Sequence, residues 1–313
     1  MRKTLTSLIC LLVVALVSFA AQAQVKAFDP ANKINATTGV AGWRGEVKRA
    51  GLAFLDNSTE QDRIDVKNFK YPLLPTECRA TEELGNVILC ASYLQGDMNR
   101  IFARISAYSE GAYEQPAKTL LPIGDENIEK AYLTLAGYDL PSTAVSSFFE
   151  ETLAKCKAGK LNYCLNTYEE DFYEKVYKPL KARGTDFAII SFSVQSTYRY
   201  TEVINHEIEH AQYFVSEIYR TTVDTFWQDV VTEQDKSIFR DALNKEGYNA
   251  SNEYLVKNEF QAYLFGPDLA KDKITPDCKQ ILSIPCLCDL APKYRSELAE
   301  RLTKVGVPPI QVN

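Results

Sequence analysis

The clearest hydrophobic periodicity in the chain lies between residues 200 and 215. Val203, Ile204, Ile208 and Ala211 recur there at the spacing of one helix face, and Phe214 and Val215 continue it. Residues 186–196, just upstream, are rich in β-branched and aromatic side chains and end in polar ones, which predicts a strand. The pattern therefore predicts a strand followed by an amphipathic helix.

The remaining periodicity is mostly helical. Residues 24–95 carry turn signals and short apolar runs, with a strand at 86–94, and we interpret them as an N-terminal strand-and-loop segment. Residues 96–313 form the predicted helix-rich domain, with helices expected at 98–108, 125–137, 142 or 143 onward, 165–182, 222–231, 234–243, 250 or 251 to 265, and 294–305. This mixture predicts an α+β fold that is helix-dominated, with a small sheet and the amphipathic helix packed beside a strand.

The first 23 residues have the pattern of a secretory signal peptide. Arg2 and Lys3 precede an apolar run from Leu8 to Ala21, and Ala21-Gln22-Ala23 fits a cleavage site before Gln24. The run is short for a membrane span, so we expect cleavage and no stable membrane insertion afterwards. An uncleaved N-terminal anchor is the alternative. The predicted location is secreted or periplasmic.

The charge of the chain argues against two classes of partner. Removal of residues 1–23 leaves 290 of the 313 residues and changes the formal charge from −6 to −8, since two basic residues are lost. An acidic protein binds nucleic acid and anionic membranes poorly. We therefore expect neither as a partner, while the sequence leaves the oligomeric state open.

Seven cysteines remain after the predicted cleavage, and in an exported protein they predict disulfides. Local pairs are plausible for Cys78 with Cys90 and for Cys156 with Cys164. Cys278 could join Cys286 or Cys288. The odd number leaves at least one cysteine free, paired with another chain or bound to a metal. A structural zinc knuckle across residues 278–288 is a weaker alternative, because C-x-x-C spacing is missing.

The amphipathic helix contains the motif H-E-x-x-H, formed by His206, Glu207 and His210. Residues i and i+4 project from one face of a helix, so the two imidazoles can hold one metal ion between them. Glu207 is then placed to take a proton from a water at the metal. The ion expected of such a site is Zn²⁺. These are the only two histidines in the chain; the alternative is two ordinary histidines on a helix surface.

A catalytic zinc site needs a third protein ligand. No third histidine exists, so the ligand must be a carboxylate or, less favourably, a cysteine or tyrosine. Glu259 is our choice, because it lies 49 positions after His210 on a predicted helix, close to the small residue Ala262 that would let two helices approach. Glu253 on the same helix is the next candidate.

Residues 186–266 resemble the gluzincins, the thermolysin-like zinc metallopeptidases. In that family H-E-x-x-H on one helix is joined by a Glu on a later helix, often within N-E-x-x-[AS], and the matching residues here are His206, Glu207, His210, Asn258, Glu259 and Ala262. The resemblance implies that His206, His210 and Glu259 bind zinc and that Glu207 is the general base.

The chain departs from the family pattern in two ways. Tyr263 stands where those enzymes have an Asp that supports the first histidine, and the histidine that steadies their transition state has no counterpart. A tyrosine or arginine must then assist the zinc in holding the oxyanion. Tyr263 and Tyr254 are the candidates we favour as catalytic residues, with Tyr198 a third.

The sequence as a whole predicts a secreted, zinc-dependent metallopeptidase that acts on a protein or peptide substrate. A zinc amidase acting on cell-wall peptides is the alternative enzyme. The alternative from another class is a zinc-holding binding protein without turnover.

Overall fold

The structure is a computed structural model. It describes residues 25–56, 76–111, 116–125, 128, 137–195, 200–246, 248–266 and 286–310. The predicted signal peptide, Tyr198 and Cys278 therefore lie outside the described residues.

A five-stranded mixed sheet runs through the molecule in the order β1-β2-β3-β5-β4. The strands are β1 Lys33–Ile34, β2 Thr76–Thr81, β3 Val87–Ser92, β4 Gly137–Pro141 and β5 Ala188–Ser193. Strand β3 is parallel to β5, whereas β4 pairs antiparallel with β5 and forms one edge. The strand predicted at 186–196 is confirmed as β5, but it has a neighbour on each side. It therefore offers no free edge to which an extended substrate could add.

Helices supply most of the remaining structure, which confirms the α+β prediction. They are α1 Val40–Asp56, α2 Gln95–Glu110, α3 Ser142–Lys157, α4 Thr167–Phe172, α5 Lys178–Lys181, α6 Tyr200–Val215, α7 Glu217–Asp229, α8 Glu233–Lys245, α9 Glu253–Phe265 and α10 Leu287–Lys304. A π-helical turn at Tyr173–Tyr177 joins α4 to α5, so the helix predicted at 165–182 is one helical run with a widened turn inside it.

The sheet has a packed core on each face. Ile88 and Ile189 point into a core shared with α2, α3 and the π-helical turn. Leu89 and Ile190, one residue further along their strands, point to the opposite face, where α1 and α6 pack. This alternation is that of strands covered on both sides. Helix α6 is thereby fixed against β5, as predicted for the motif helix.

A third core lies among the C-terminal helices. Phe226 and Trp227 of α7, Phe239 of α8, Phe260 of α9 and Tyr294 of α10 form its aromatic centre, with ring centroids 4.9–6.3 Å apart. Helix α9 contacts both this core and α6. The packing brings two helices that are far apart in sequence into direct contact at the motif.

Residues 24–95 differ from their predicted organisation. They contain the 17-residue helix α1, which the strand-and-loop interpretation missed, because Gly42, Gly45 and Gly51 lower the helix propensity of this stretch. Their strand β3 also pairs directly with β5. This segment is therefore a structural part of the sheet against which α6 packs.

The cysteines follow the predicted local pairing. Disulfides join Cys78 to Cys90 and Cys156 to Cys164. Cys288 is also disulfide-bonded, with its partner outside the described residues, and Cys286 has a free thiol. A disulfide-bonded Cys288 has no thiolate for a zinc knuckle, so that alternative is wrong. The disulfides indicate an oxidising compartment.

Among the described residues, no helix combines the length and the apolar character needed to cross a membrane.

Candidate metal centre

The two histidines of α6 face one point. Their Nε2 atoms are 3.0 Å apart, and the rings meet edge to face. Burial lowers the pKa of His206 well below its usual value, with the neighbouring His210 as a second cause, and burial lowers that of His210 to about 4. Both imidazoles are therefore neutral at pH 7 and offer lone pairs, which is the form that binds metals.

Glu259 completes the group from α9. This helix begins at Glu253 because the Asn252 side chain caps it, accepting a hydrogen bond from the Leu255 amide. One carboxylate oxygen of Glu259, Oε2, lies 3.6 Å from Nε2 of both His206 and His210. The structure thus brings together the three residues that the sequence predicted as metal ligands.

The close approach of α9 to α6 depends on a residue without a side chain. A Cβ atom added to Gly266, which follows α9, would lie 2.8 Å from Cβ of His206. The ring of His206 also forms a hydrogen bond to the backbone of Ala262. Ala262 therefore has the role expected of a small residue at this contact, and its backbone orients one of the predicted ligands.

The three atoms fit a tetrahedral zinc ion. Metal–ligand bonds of about 2.0–2.2 Å in a tetrahedron place ligand atoms about 3.3–3.6 Å apart, and the observed separations are 3.0, 3.6 and 3.6 Å. Oε2 of Glu259 is buried and has no hydrogen-bond partner among the described residues. Buried polar atoms are normally partnered, so a cation at this point would account for the arrangement.

Glu207 lies beside the group, against the edge strand β4. A Cβ atom added to Gly137 would lie 2.7 Å from Oε1 of Glu207, so the strand leaves room for this carboxylate only because residue 137 is a glycine. Burial raises the pKa of Glu207 well above its usual value, and the charges of Asp139, Glu259 and Glu110 add to the effect. A raised pKa brings a carboxylate closer to the range in which a general base works.

Several carboxyl groups lie close together around the candidate metal centre. Burial raises the pKa of Glu259 well above its usual value, with the charges of Asp139 and Glu110 as further causes, and enclosure raises the pKa of Asp139 to about 7. No lysine or arginine of the described chain is among the causes that set the pKa of Glu207 or Glu259. Ionised carboxylates this close together repel one another, so the binding of a cation between them is favoured.

Asp139 is the site residue that the sequence analysis missed. Its Oδ2 lies 3.7 Å from Nδ1 of His210, and Asp139, Glu207 and His210 form a second group of ligand-type atoms within 4.8 Å of one another. We predicted residues 125–137 as a helix; most of them lie outside the described residues, but Gly137 itself begins β4. A strand that holds Gly, Asp and Pro has few of the residues that identify strands in a sequence.

The predicted tyrosines lie at different distances from the centre. The Tyr263 ring packs edge to face on His206 with centroids 4.5 Å apart, and its hydroxyl is 3.4 Å from that of Tyr248. Tyr248, which the sequence analysis did not consider, has its pKa raised well above the usual value, first by the charge of Glu259. Tyr254 is 47% exposed and packs against Tyr213 instead. Tyr198 is outside the described residues.

Glu253, the reserve choice for the third ligand, is engaged elsewhere. Its Oε1 accepts a hydrogen bond from Nε1 of Trp227 at 2.6 Å, and its Oε2 pairs with Arg240 at 2.8 Å. The two partners belong to α7 and α8. Glu253 is therefore a structural residue of the C-terminal helices and is wrong as a metal-ligand candidate.

A cavity of about 350 Å³ opens beyond His210. Phe214, one turn further along α6, stacks on the His210 ring with centroids 6.4 Å apart and lines the cavity together with Pro141, Phe187 and Tyr254. Of these residues Phe214 belongs to α6, where it lies on the same face as the two histidines. The other lining residues, Ser142, Thr143 and Asp186, are polar.

A buried hydrogen-bond network connects α6 and α9, the two helices that carry the predicted metal ligands. The Tyr219 hydroxyl contacts a carboxylate oxygen of Glu209 on α6 and Oε1 of Gln261 on α9, the latter at 2.7 Å. Nε2 of Gln261 donates in turn to Oδ1 of Asn258 at 3.2 Å. A tyrosine hydroxyl has one proton for two acceptors. Both contacts of the Tyr219 hydroxyl are satisfied if Glu209 is protonated and donates to Tyr219.

We expect Glu209 to make the stability of the metal-free protein fall as the pH rises. Burial raises the pKa of Glu209 in the folded protein to about 8, from its usual value of 4.5, partly offset by the Tyr219 hydrogen bond. For a raised pKa, the stabilising contribution is complete below the unfolded value and is lost as the pH approaches the folded value. Glu209→Gln keeps the neutral hydrogen bond at every pH, so its advantage over the parent should grow to a few kcal/mol between about pH 4.5 and pH 8.

Urea unfolding of both proteins in chelator across that pH range measures this difference. Other carboxyls contribute equally to the two proteins and cancel. A constant difference in unfolding free energy between parent and Glu209→Gln would show that Glu209 is ionised throughout.

Comparison of the chain with family models, with curated proteins and with solved structures found no match in any of the three.

Proposed function

We propose that the protein is an exported, zinc-dependent metallopeptidase of gluzincin type. The observation that carries the proposal is the convergence of His206, His210 and Glu259, from two helices, with Glu207 buried beside them. Zinc is the ion that this set of two neutral imidazoles and one carboxylate favours. Export is supported by the signal-peptide pattern and by the disulfides.

His206, His210 and Glu259 would hold the ion and leave one position open for water or substrate. A zinc ion held there would supply a Lewis acid able to polarise the scissile carbonyl and to lower the pKa of a water toward ~7. Glu207 accepts the proton of the attacking water and passes it to the leaving amine. Its raised pKa suits it to both steps, because it can hold that proton between them.

Tyr263 and Tyr248 are the protein groups that best suit oxyanion stabilisation. Tyr263 is held against His206, and the Tyr248 hydroxyl lies beside that of Tyr263. The charge of Glu259, burial and the charge of Glu207 raise the pKa of Tyr248, so it keeps its proton at neutral pH and can donate it in a hydrogen bond. Tyr254 suits another role, since it lines the cavity in which a substrate side chain would lie.

Digestion of a fluorescent peptide library tests the proposal. We expect the zinc-loaded protein to cleave peptides, a chelator to abolish cleavage, and added zinc to restore it. Glu207→Gln protein purified in parallel controls for contaminating peptidases. Cleavage of cell-wall peptides alone would favour the amidase, and one bound zinc per chain without cleavage of any peptide would favour a zinc-holding binding protein.

A further inference from the structure

We infer that Asp139 is the positioning residue of the metal centre: it accepts a hydrogen bond from Nδ1 of His210 and so turns Nε2 of that ring toward the ion. The inference rests on the metal-binding part of the proposed function, not on peptide cleavage. It assigns a role to a strand of the sheet, 71 positions before His210 in the chain.

The two nitrogens of His210 face two different carboxylates. Nε2 is 3.6 Å from Oε2 of Glu259, and Nδ1 is 3.7 Å from Oδ2 of Asp139. Nδ1 is buried and has no hydrogen-bond partner among the described residues. The separation from Asp139 is longer than a hydrogen bond, but the Asp139 side chain is 20% exposed and has room to move. Asp139 is thus the carboxyl group that faces this unpartnered ring nitrogen.

The backbone fixes where Asp139 points. Strand β4 pairs with β5, with Asp139 opposite Ile190. Tyr138 and Leu140, on either side, point into the core on the other face of the sheet, and the Tyr138 hydroxyl donates to Oδ1 of Asn99 at 2.9 Å. Alternation along the strand therefore directs Asp139 toward α6. A residue held by a strand is placed more reproducibly than one on a loop.

Asn258 is the competing partner for the same ring, since its side chain interacts with His210, but it makes no hydrogen bond with Nδ1 in the structure. Its Oδ1 already accepts a hydrogen bond from Nε2 of Gln261 at 3.2 Å. Hydrogen bonds to an ionised acceptor are about twice as strong as those to a neutral one. A carboxylate also increases the basicity of the imidazole as a ligand, which an amide does far less. Asp139 is therefore the acceptor that would set the tautomer.

Zinc affinity measured by competition with a chromophoric chelator tests the role. Loss of such an outer carboxylate typically costs 10–100-fold in metal affinity, and we expect Asp139→Ala to lie in that range and Asp139→Asn to be weakened less. Glu110→Gln is the matched control. Glu110, the last residue of α2, carries a carboxyl group whose charge also acts on Glu207 and Glu259 and which interacts with Asp139, but it is not the group that faces His210 Nδ1. Its substitution should change zinc affinity by less than about 3-fold if the hydrogen bond, rather than net charge, matters.

A spectroscopic measurement reports the tautomer directly. The chain has only two histidines, so untagged, zinc-loaded protein labelled with ¹⁵N-histidine gives four ring nitrogen resonances. We expect a protonated, slowly exchanging His210 Nδ1 in the parent and in Glu110→Gln, and its loss or displacement in Asp139→Ala. Asp139→Asn keeps the volume and an acceptor, so it provides the same comparison should the Ala variant not fold.

Three results would overturn the inference. Unchanged zinc affinity and an unchanged Nδ1 resonance in both Asp139 variants would show that Asp139 does not orient the ring. Two zinc ions per parent chain, falling to one in Asp139→Ala, would make Asp139 a ligand of a second ion. A parent that binds no zinc would overturn the inference and the proposed function together, whereas the first two results leave the peptidase proposal standing.

Discussion

Glu207→Gln should lose nearly all peptidase activity while it keeps its zinc. Glutamine preserves the size of the side chain and its ability to form hydrogen bonds, but it cannot accept the proton of the attacking water. Loss of general-base assistance typically lowers kcat by about 10²–10⁴-fold. The atoms that would bind zinc belong to His206, His210 and Glu259, and they are unchanged. Zinc binding and activity should therefore separate in this variant.

Metal analysis after dialysis, together with kcat and KM on one peptide, measures both quantities. Glu217→Gln is a suitable control, because Glu217 is exposed in the first turn of α7, the helix that follows the motif helix. It should retain parental zinc content and activity. Parental cleavage rates in Glu207→Gln would contradict the proposed mechanism. Loss of zinc from that variant would instead make Glu207 a ligand.

The grouping of His206, His210 and Glu259 was predictable because it depends on local geometry and on elimination. Two histidines at i and i+4 share a helix face in any fold, and the absence of other histidines left a carboxylate as the third ligand. Glu259 could be chosen because it lies on a helix near a small residue. That α9 packs against α6 depends on contacts such as Gly266 with His206, which no local pattern encodes.

Asp139 and Tyr248 could not be found in the same way. Residues 137–141 become a strand because β5 provides a partner, and an isolated Gly-Tyr-Asp-Leu-Pro segment has little strand propensity of its own. Tyr248 follows α8 in the short connection to α9 and enters the site only through the packing of those helices. Both residues lie around the predicted ligands, and the tertiary structure determines which residues lie there.

Helix α1 is another feature that local sequence signals alone did not predict. Its glycines weaken the helical signal, yet Trp43 and Val47 are buried against the sheet, and this burial compensates for poor propensity. The strand-and-loop prediction for this segment weighed the local signal alone. The helix propensity of a segment is set by its own residues, whereas the packing that overrides it depends on residues distant in the sequence.

Glu259→Ala should lose zinc itself, and activity with it. This change removes one of the three predicted protein ligands and leaves only the two neutral imidazoles of that group. Because binding at such a site depends on the complete ligand set, we expect the variant to lose its zinc on dialysis under conditions in which Glu207→Gln retains it. The two variants should therefore be similarly inactive but opposite in metal content.

Glu253→Ala is the matched control, a second glutamate on the same helix, six positions earlier. It should lose the hydrogen bond from Trp227 and the ion pair with Arg240, so its melting temperature should fall while its zinc content stays parental.

Glu259→Gln adds a finer test, because an amide oxygen keeps the shape of the ligand but loses the charge, and zinc affinity should lie between those of the parent and Glu259→Ala. Full zinc content and full activity in Glu259→Ala would exclude Glu259 as the third ligand. Asp139, whose carboxylate lies on the other side of His210, would then be the first residue to substitute.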